Sequence, residues 1–323
     1  MSLRSLLLPL TPLYRAGLAL RERRLASGKE GVRRLGWPVI SVGSLSTGGA
    51  GKTPLTVALA RALAARGLHV DVLSRGYGRM SATAGRVRLD GTADEFGDEP
   101  LLIAREARLP VYVAAHRYDA GLLAESDFQP GGPAVHILDD GFQHRQLHRD
   151  VDVLLLDARD LRDRLLPAGN LREALQAARR ADVIAIPADE PQMEAQLPGW
   201  GWEGPVWRLQ RHMQVLQADG PVFAFCGIAR PEQFFAGLEA NGIRLAAHRA
   251  FRDHHRYTAG DLEGLAGQAR AVGATALLTT EKDVVRLAGL QPPLPVLTAG
   301  LTTLIENEHA GMDWLVGRLA QLR

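Results

Sequence analysis

The stretch 38-PVISVGSLSTGGAGKTPLTVALARALAAR-66 runs from an apolar strand candidate, through a glycine-rich turn, into a helical pattern. Residues 38–43 read as the strand, and 54–66 repeat apolar residues at helical spacing. A glycine loop between strand and helix is the context a phosphate-binding loop requires. Gly48, Gly49 and Gly51 let backbone N–H groups turn toward phosphate oxygens, and the helix N-terminus adds the positive end of its dipole. Ser46, Thr47 and Ala50 complete the cradle. Lys52 is placed to reach the β- and γ-phosphates, and the Thr53 hydroxyl to ligate Mg²⁺. Position 46, glycine in the strict pattern, is serine here, so the loop is the GGxGKT variant. Pro54 falls in the first helical turn, where a missing N–H costs nothing. The chain has only three lysines, Lys29, Lys52 and Lys282, beside 35 arginines, so a lysine kept in this loop points to a specific role.

Outward from the loop, short apolar runs alternate with helical patterns. Strand candidates are 38–43, 69–74, 111–114, 134–138, 151–156 and 182–186, which argues for a parallel sheet with helices on both faces, of the P-loop NTPase kind. Residues 187–204, with prolines and a GWGWEG run, read as a boundary. Beyond it, 221–226, 243–250, 275–280 and 294–298 suggest a second, smaller α/β unit. The organisation expected is a leading segment 1–36, a core 37–200 and a smaller unit 201–323.

The 323 residues suit two domains, and a 46% apolar content fills ordinary cores. One cysteine, Cys226, excludes an internal disulfide framework. A net charge of +2 gives no support to nucleic-acid binding, and nothing in the sequence implies an obligate protein partner. Charge is unevenly spread: residues 1–36 carry +6, leaving −4 for the rest. Leu3, Leu6, Leu7, Leu10, Leu13 and Tyr14 recur at helical spacing within this basic segment. Arg4, Pro9, Pro12 and Arg15 break it well short of the ~20 apolar residues of a span. An amphipathic helix lying on a membrane surface fits, the alternative being a helix packed on the protein's own core.

Carboxylates come next. The run 134-AVHILDDGFQHR-145 ends a strand in Asp139 and Asp140, where open parallel sheets bind ligands, and one of them can hold Mg²⁺. In 97-GDEP-100, Asp98 and Glu99 suit metal or base roles, or simply cap a helix. In 251-FRDHHRY-257, a histidine paired with a distant carboxylate can help accept a hydroxyl proton, whereas two adjacent histidines without cysteine are a weak zinc signal. His144 and His148 lie four apart and could share a helical face. Arg75 and Tyr77 of 74-SRGYGR-79 could clamp anionic groups, and Asn170 and Arg172 of 166-LPAGNLRE-173 form a polar set. The 279-TTEKD-283 tract, with Lys282 and Asp283, is weak on its own.

The ordered set VGSLSTGGAGKTP, SRGYGR, GDEP, the Arg117 region, LDDGFQHR, LPAGNLRE, FRDHHRYT and TTEKD resembles the tetraacyldisaccharide 4′-kinase family of lipid A biosynthesis. The resemblance covers nearly the whole chain. It implies an ATP- and Mg²⁺-dependent kinase that phosphorylates the 4′-hydroxyl of a tetraacylated glucosamine disaccharide 1-phosphate. It also implies two α/β/α units, peripheral attachment at the cytoplasmic face of the bacterial inner membrane, Asp98 as base and His254 as its aid. Arg75, Tyr77, Arg117, Gln143, Asn170 and Arg172 are then the acceptor-side candidates. Ser44 stands where the family usually has asparagine, which touches one contact near the loop. Rival readings are a P-loop NTPase switch or metal chaperone, and more distantly a non-enzymatic membrane-binding protein, which leaves the glycine loop unexplained.

Overall fold

The computed structural model describes residues 3–28, 31–128, 131–215, 218 and 220–321. Helix α1 (Thr11–Ala26) follows a 3-10 stretch at Leu3–Leu10. Then come β1 (Val39–Ser44), α2 (Lys52–Ala64), β2 (His69–Ser74), β3 (Gly85–Arg86), α3 (Ala93–Phe96), α4 (Asp98–Ala107), β4 (Val111–Val113), α5 (Arg117–Asp127), β5 (Ala134–Asp139), β6 (Val151–Leu155) and β7 (Val183–Pro187). The remainder supplies β8 (Val206–Val215), β9 (Val222–Cys226), α6 (Pro231–Ala240), β10 (Leu245–Ala250), α7 (Ala259–Ala271), β11 (Ala276–Thr280), α8 (Glu281–Arg286), β12 (Val296–Ile305) and α9 (Glu308–Ala320).

These strands form one sheet, ordered β10-β9-β11-β12-β8-β7-β6-β1-β5-β2-β4-β3. Only the β8–β12 and β3–β4 pairs are antiparallel. Strand β1 is buried along its length, as a central strand covered on both faces must be. It lies between β5 and β6, so successive connections leave it in opposite directions and open a crevice beyond the strand ends. Leu55, Leu59 and Leu63 of α2 recur every fourth residue and pack on Ile40, Val42, Val72 and Ile137. On the opposite face Leu45, Phe142, Leu154 and Ile184 form a second cluster, against which Tyr14 and Leu18 of α1 rest.

The expected strands are present, joined by two that were not expected, β3 and β8. Strand β12 runs on to Ile305, past the expected end at 298, and pairs with β8 in a long antiparallel ladder from Leu209–Ile305 to Val215–Ala299. Strand β8 reads VWRLQRHMQV, with polar side chains on an exposed face, so it lacks the continuous apolar run that marks a buried strand. The N-terminal segment is helical, with Leu6, Leu7, Leu8, Leu10, Leu13 and Leu20 exposed. Among the described residues no helix is long and apolar enough to cross a membrane.

Below β1 lies a buried ionic knot. His136 of β5 meets Asp71 of β2 at 2.7 Å through Nδ1 and Glu125 of α5 at 3.3 Å through Nε2. Trp37 stacks on its ring at 4.8 Å, and the Trp37 amide donates to Glu125 at 2.8 Å. Burial alone would lower the His136 pKa, but the Asp71 and Glu125 carboxylates outweigh it and raise it to about 9. A histidine pKa raised on folding stabilises fully below its unfolded value of about 6.5, and that stability is lost as pH rises through the folded value. Urea unfolding of this protein should therefore show stability falling between about pH 6.5 and 9, a slope absent in His136→Gln. An unchanged slope in the variant would remove the knot as its cause.

Candidate active site

The glycine loop joins β1 to α2 with Gly48, Gly49 and Gly51 at φ of 67°, 69° and 87°, values that L side chains rarely adopt. Ser46 is buried, and the Thr47 amide donates to the Asn170 carbonyl at 2.9 Å. The Arg172 amide donates to the Leu45 carbonyl at 2.7 Å, so the 166–173 tract lines one side of the loop. Lys52 Nζ lies 3.2 Å from Ser44 Oγ and 3.4 Å from Asp140 Oδ1. Position 44 thus contacts the loop lysine through its serine hydroxyl. Thr53 is half-buried in the first turn of α2.

Asp139 and Asp140 end β5 beside this loop but are held differently. Asp139 accepts from Ser74 Oγ at 3.2 Å and, more weakly, Thr56 Oγ1 at 3.5 Å. Burial first, then the charges of Glu99 and Asp140, push its pKa up to about 7. Asp140 is in the left-handed region at φ 48° and binds Arg172 Nη1 through both oxygens at 2.9 Å. Burial would raise its pKa, yet Lys52 and Arg172 keep it below the ordinary range. Gln143 closes the ring, accepting from Arg172 at 3.1 Å and donating to the Ser44 carbonyl at 3.1 Å.

Asp98 opens α4 behind Gly97, whose φ of 90° and close approach to Gly76 leave no room for a side chain. Its Oδ1 accepts the adjacent Glu99 amide at 2.9 Å, and the N-cap position of α4 is Gly97. Its Oδ2 meets His254 Nδ1 at 3.0 Å, Arg286 Nε at 2.8 Å and Arg286 Nη2. Burial would raise the Asp98 pKa; the hydrogen bond to His254 and the charges of Lys282 and Arg286 more than offset it and hold the carboxyl well below the usual range. Lys282 pairs with Glu99 at 2.8 Å and stands 3.5 Å from His254 Nε2. Asp283, also buried, ties Arg286 at 2.9 Å, Tyr257 at 3.0 Å and the Gly227 amide at 3.1 Å into the same cluster. His254 adopts φ 57°, a second non-glycine residue in the left-handed region, at a cost of about 1–3 kcal/mol.

The two groups share one cleft. Asp253 Oδ2 lies 4.0 Å from where a Cβ would stand on Gly48, and Glu99 acts on Asp139 while pairing with Lys282. Tyr77, largely exposed, meets the His254 ring edge-on at 5.4 Å. Arg117, at the start of α5, is buried, and its pKa is lowered by burial and then by Arg75. Arg75 is exposed, and Asn170 donates to Asp163 at 2.8 Å. His144 and His148 do not share a helix: residues 141–148 turn, with the His144 amide on the Gly141 carbonyl at 2.7 Å. Burial and neighbouring arginines push His144 down to about 3.

Sequence reasoning missed Arg286, Arg211 and Arg230 and underrated Lys282. The one available signal was Lys282 itself, one of three lysines, in a tract where Thr280 caps α8. Arg230 Nη1 binds Asp157 at 2.6 Å, beside a cavity of about 400 Å³ lined by Asp157, Asp189, Glu190, Arg211 and Gln233.

The model of the Tetraacyldisaccharide-1-P 4′-kinase family, LpxK, matches residues 3–319. A tetraacyldisaccharide 4′-kinase of Koribacter versatilis is 42% identical over 321 residues, covering 95% of this chain and 97% of the relative. One from Dechloromonas aromatica is 40% identical, covering 97% and 92%. A crystal structure of LpxK from Aquifex aeolicus, described as the "apo" form in complex with ATP, superposes with a TM-score of 0.76 at 34% identity, covering 98% of this chain and 99% of that one.

Arg286 binds two buried carboxylates. Arg286→Met should destabilise the fold by about 3–5 kcal/mol, because Asp98 and Asp283 stay buried without their cation. The denaturant midpoint measures it. A loss below about 1 kcal/mol would mean that the carboxylates find other partners.

Proposed function

The chain belongs to the Tetraacyldisaccharide-1-P 4′-kinase family, and from that premise we propose how its own residues carry out the transfer. It is an ATP-dependent kinase acting on the 4′-hydroxyl of a tetraacylated disaccharide 1-phosphate, the lipid A precursor. Membership in a kinase family leaves the nucleotide-switch and metal-chaperone readings without support.

In this reading residues 46–53 cradle the ATP phosphates, with Lys52 on the transferring end. The 400 Å³ cavity next to the loop takes the nucleoside. The residues fit Mg²⁺: burial first, then the charges of Glu99 and Asp140, make ionised Asp139 costly, and a divalent cation beside it would relieve that cost. Among the described residues no three His, Cys, Asp or Glu form a cage. A nucleotide-bound Mg²⁺ needs only one or two carboxylates, the rest coming from phosphates and water. Asp139 would hold it with Thr53, while the other two expected carboxylates are engaged, Asp140 by Lys52 and Arg172 and Glu99 by Lys282. Bound there, it supplies positive charge at the β- and γ-phosphate oxygens.

The observation that carries the acceptor chemistry is the Asp98–His254 pair on the same cleft as the glycine loop. The pair takes the hydroxyl proton as the sugar oxygen bonds to the γ-phosphorus and ADP departs. The resemblance gives the base role to Asp98. Its Oδ2, however, is committed to Arg286 and His254, and surrounding cations make it a weak base. That favours His254 Nε2 as the receiving atom, with Asp98 fixing the ring through Nδ1. Arg117, Arg75, Tyr77, Gln143, Asn170 and Arg172 form the acceptor-facing wall.

The exposed leucines of residues 6–20 and the exposed Arg15, Arg23 and Arg24 support attachment to an anionic membrane, at the cytoplasmic face of the inner membrane, where the lipid acceptor lies. Arg21 is engaged otherwise, donating to the Gln143 carbonyl.

Asp98→Ala should lower kcat by about 10²–10⁴ with ATP affinity kept, and Asp98→Ala/His254→Ala should be little worse. Fully additive losses would separate the two residues. His254→Gln should lower kcat about as much as Asp98→Ala, whereas a far milder loss in His254→Gln returns the role to Asp98. Neutralising Arg15, Arg23 and Arg24 should weaken sedimentation with anionic vesicles by about 1 kcal/mol per residue. Unchanged sedimentation would end the membrane assignment for this segment.

A further inference from the structure

Arg211, on β8, makes a contact that the chemistry above does not use. Its Nη2 donates to the carbonyl oxygen of Ala50, inside the glycine loop, at 2.7 Å. The same guanidinium stands 3.0 Å from where a Cβ would sit on Gly51. Arg230 lies likewise across Gly49, and Ala229 meets Gly48. The loop is therefore backed by side chains from the far part of the sheet. Of these three residues, Arg211 is the one that bonds to a loop peptide.

The direction of that bond matters. In a trans peptide the C=O and the following N–H point to opposite sides. Fixing the Ala50 oxygen on Arg211 therefore turns the Gly51 N–H away from Arg211. Gly51 sits at φ 87°, in a region glycine enters and leaves freely, so the loop's own sterics do not select this orientation. A charged donor on the carbonyl also polarises the peptide and strengthens its N–H as a donor. Arg211 makes this bond to a neutral carbonyl even though Asp157, Asp189 and Glu190 supply opposite charge nearby.

We propose that Arg211 is a positioning residue for the nucleotide, holding the Ala50–Gly51 peptide so that the Gly51 N–H faces the phosphate chain. The inference rests on the reading of residues 46–53 as the phosphate cradle. Strand β8 pairs with β7 on one side and β12 on the other, so the brace reaches the loop only when the two parts of the sheet are joined.

Calorimetry on the full chain with ATP, Mg²⁺-pyrophosphate and adenosine tests it, comparing wild type, Lys52→Ala, Arg211→Met and Arg211→Gln. Both Arg211 variants should bind ATP and pyrophosphate about tenfold more weakly, with a clearly smaller loss for adenosine, whose cavity Arg211 also lines, and an unchanged KM for the lipid acceptor. Wild-type pyrophosphate affinity in the variants would overturn the proposal. So would an equal loss for adenosine, which would put Arg211 on the nucleoside. The glutamine variant keeps a polar side chain at the cavity wall in case methionine is not tolerated there. Independently of any variant, the Gly51 amide resonance of the wild type should move downfield when pyrophosphate is added, and no movement overturns the proposal. If Lys52→Ala also left pyrophosphate binding intact, the cradle reading itself would fall, so the two failures are distinct.

Discussion

The arrangement depends on a single buried carboxylate, Asp98, held by cations from distant parts of the chain. Asp98 opens α4, which packs beside α2 and the glycine loop, while His254, Lys282 and Arg286 come from segments more than 150 residues further on. Taking a carboxylate out of water is costly unless charge and hydrogen bonds are returned to it. Here the return comes from across the sheet, so the same interaction that satisfies Asp98 closes the cleft. It also aims His254, whose left-handed backbone would not persist without such surroundings.

The second constraint is topological. With β1 flanked by β5 and β6, the loop after β1 and the aspartates at the end of β5 emerge at one crevice, where Asp140 Oδ1 lies 3.4 Å from Lys52 Nζ. The two aspartates then diverge by environment. Asp140 is kept ionised by Lys52 and Arg172, whereas Asp139, shielded from water and near Glu99, ionises reluctantly without a further cation. That split assigns Asp139 the metal-facing task within the proposed mechanism.

Much of this arrangement is legible in the amino-acid sequence. The 38–66 stretch carries the strand, the turn and the helix in its own periodicity, and DD at a strand end follows from the rule for open parallel sheets. The roles of Asp98 and His254 came only through the ordered resemblance, since local spacing equally allowed Asp98 to be a cap, whereas in the structure α4 starts at Asp98 behind Gly97 with no side-chain cap. Arg286, Arg211 and Arg230 escaped because a chain with 35 arginines gives no single one any contrast, and their partners are fixed by tertiary pairing rather than by sequence distance. Strand β8 escaped for a related reason: its half-exposed, arginine-bearing pattern is that of an antiparallel strand at a junction, not of the buried parallel strands around it.

The central claim is that proton acceptance, at the Asp98–His254 pair, and metal binding, at Asp139, are divided between two sites of one cleft. Single-turnover phosphorylation of the lipid acceptor, followed as a function of Mg²⁺ concentration in Asp98→Asn and in Asp139→Asn, addresses it most directly. The account requires Asp139→Asn to raise the Mg²⁺ concentration for half-maximal rate, with activity partly restored at high Mg²⁺, while Asp98→Asn lowers the rate at every concentration and leaves the midpoint where it was. Equal displacement of the midpoint in both variants, or in neither, would contradict it.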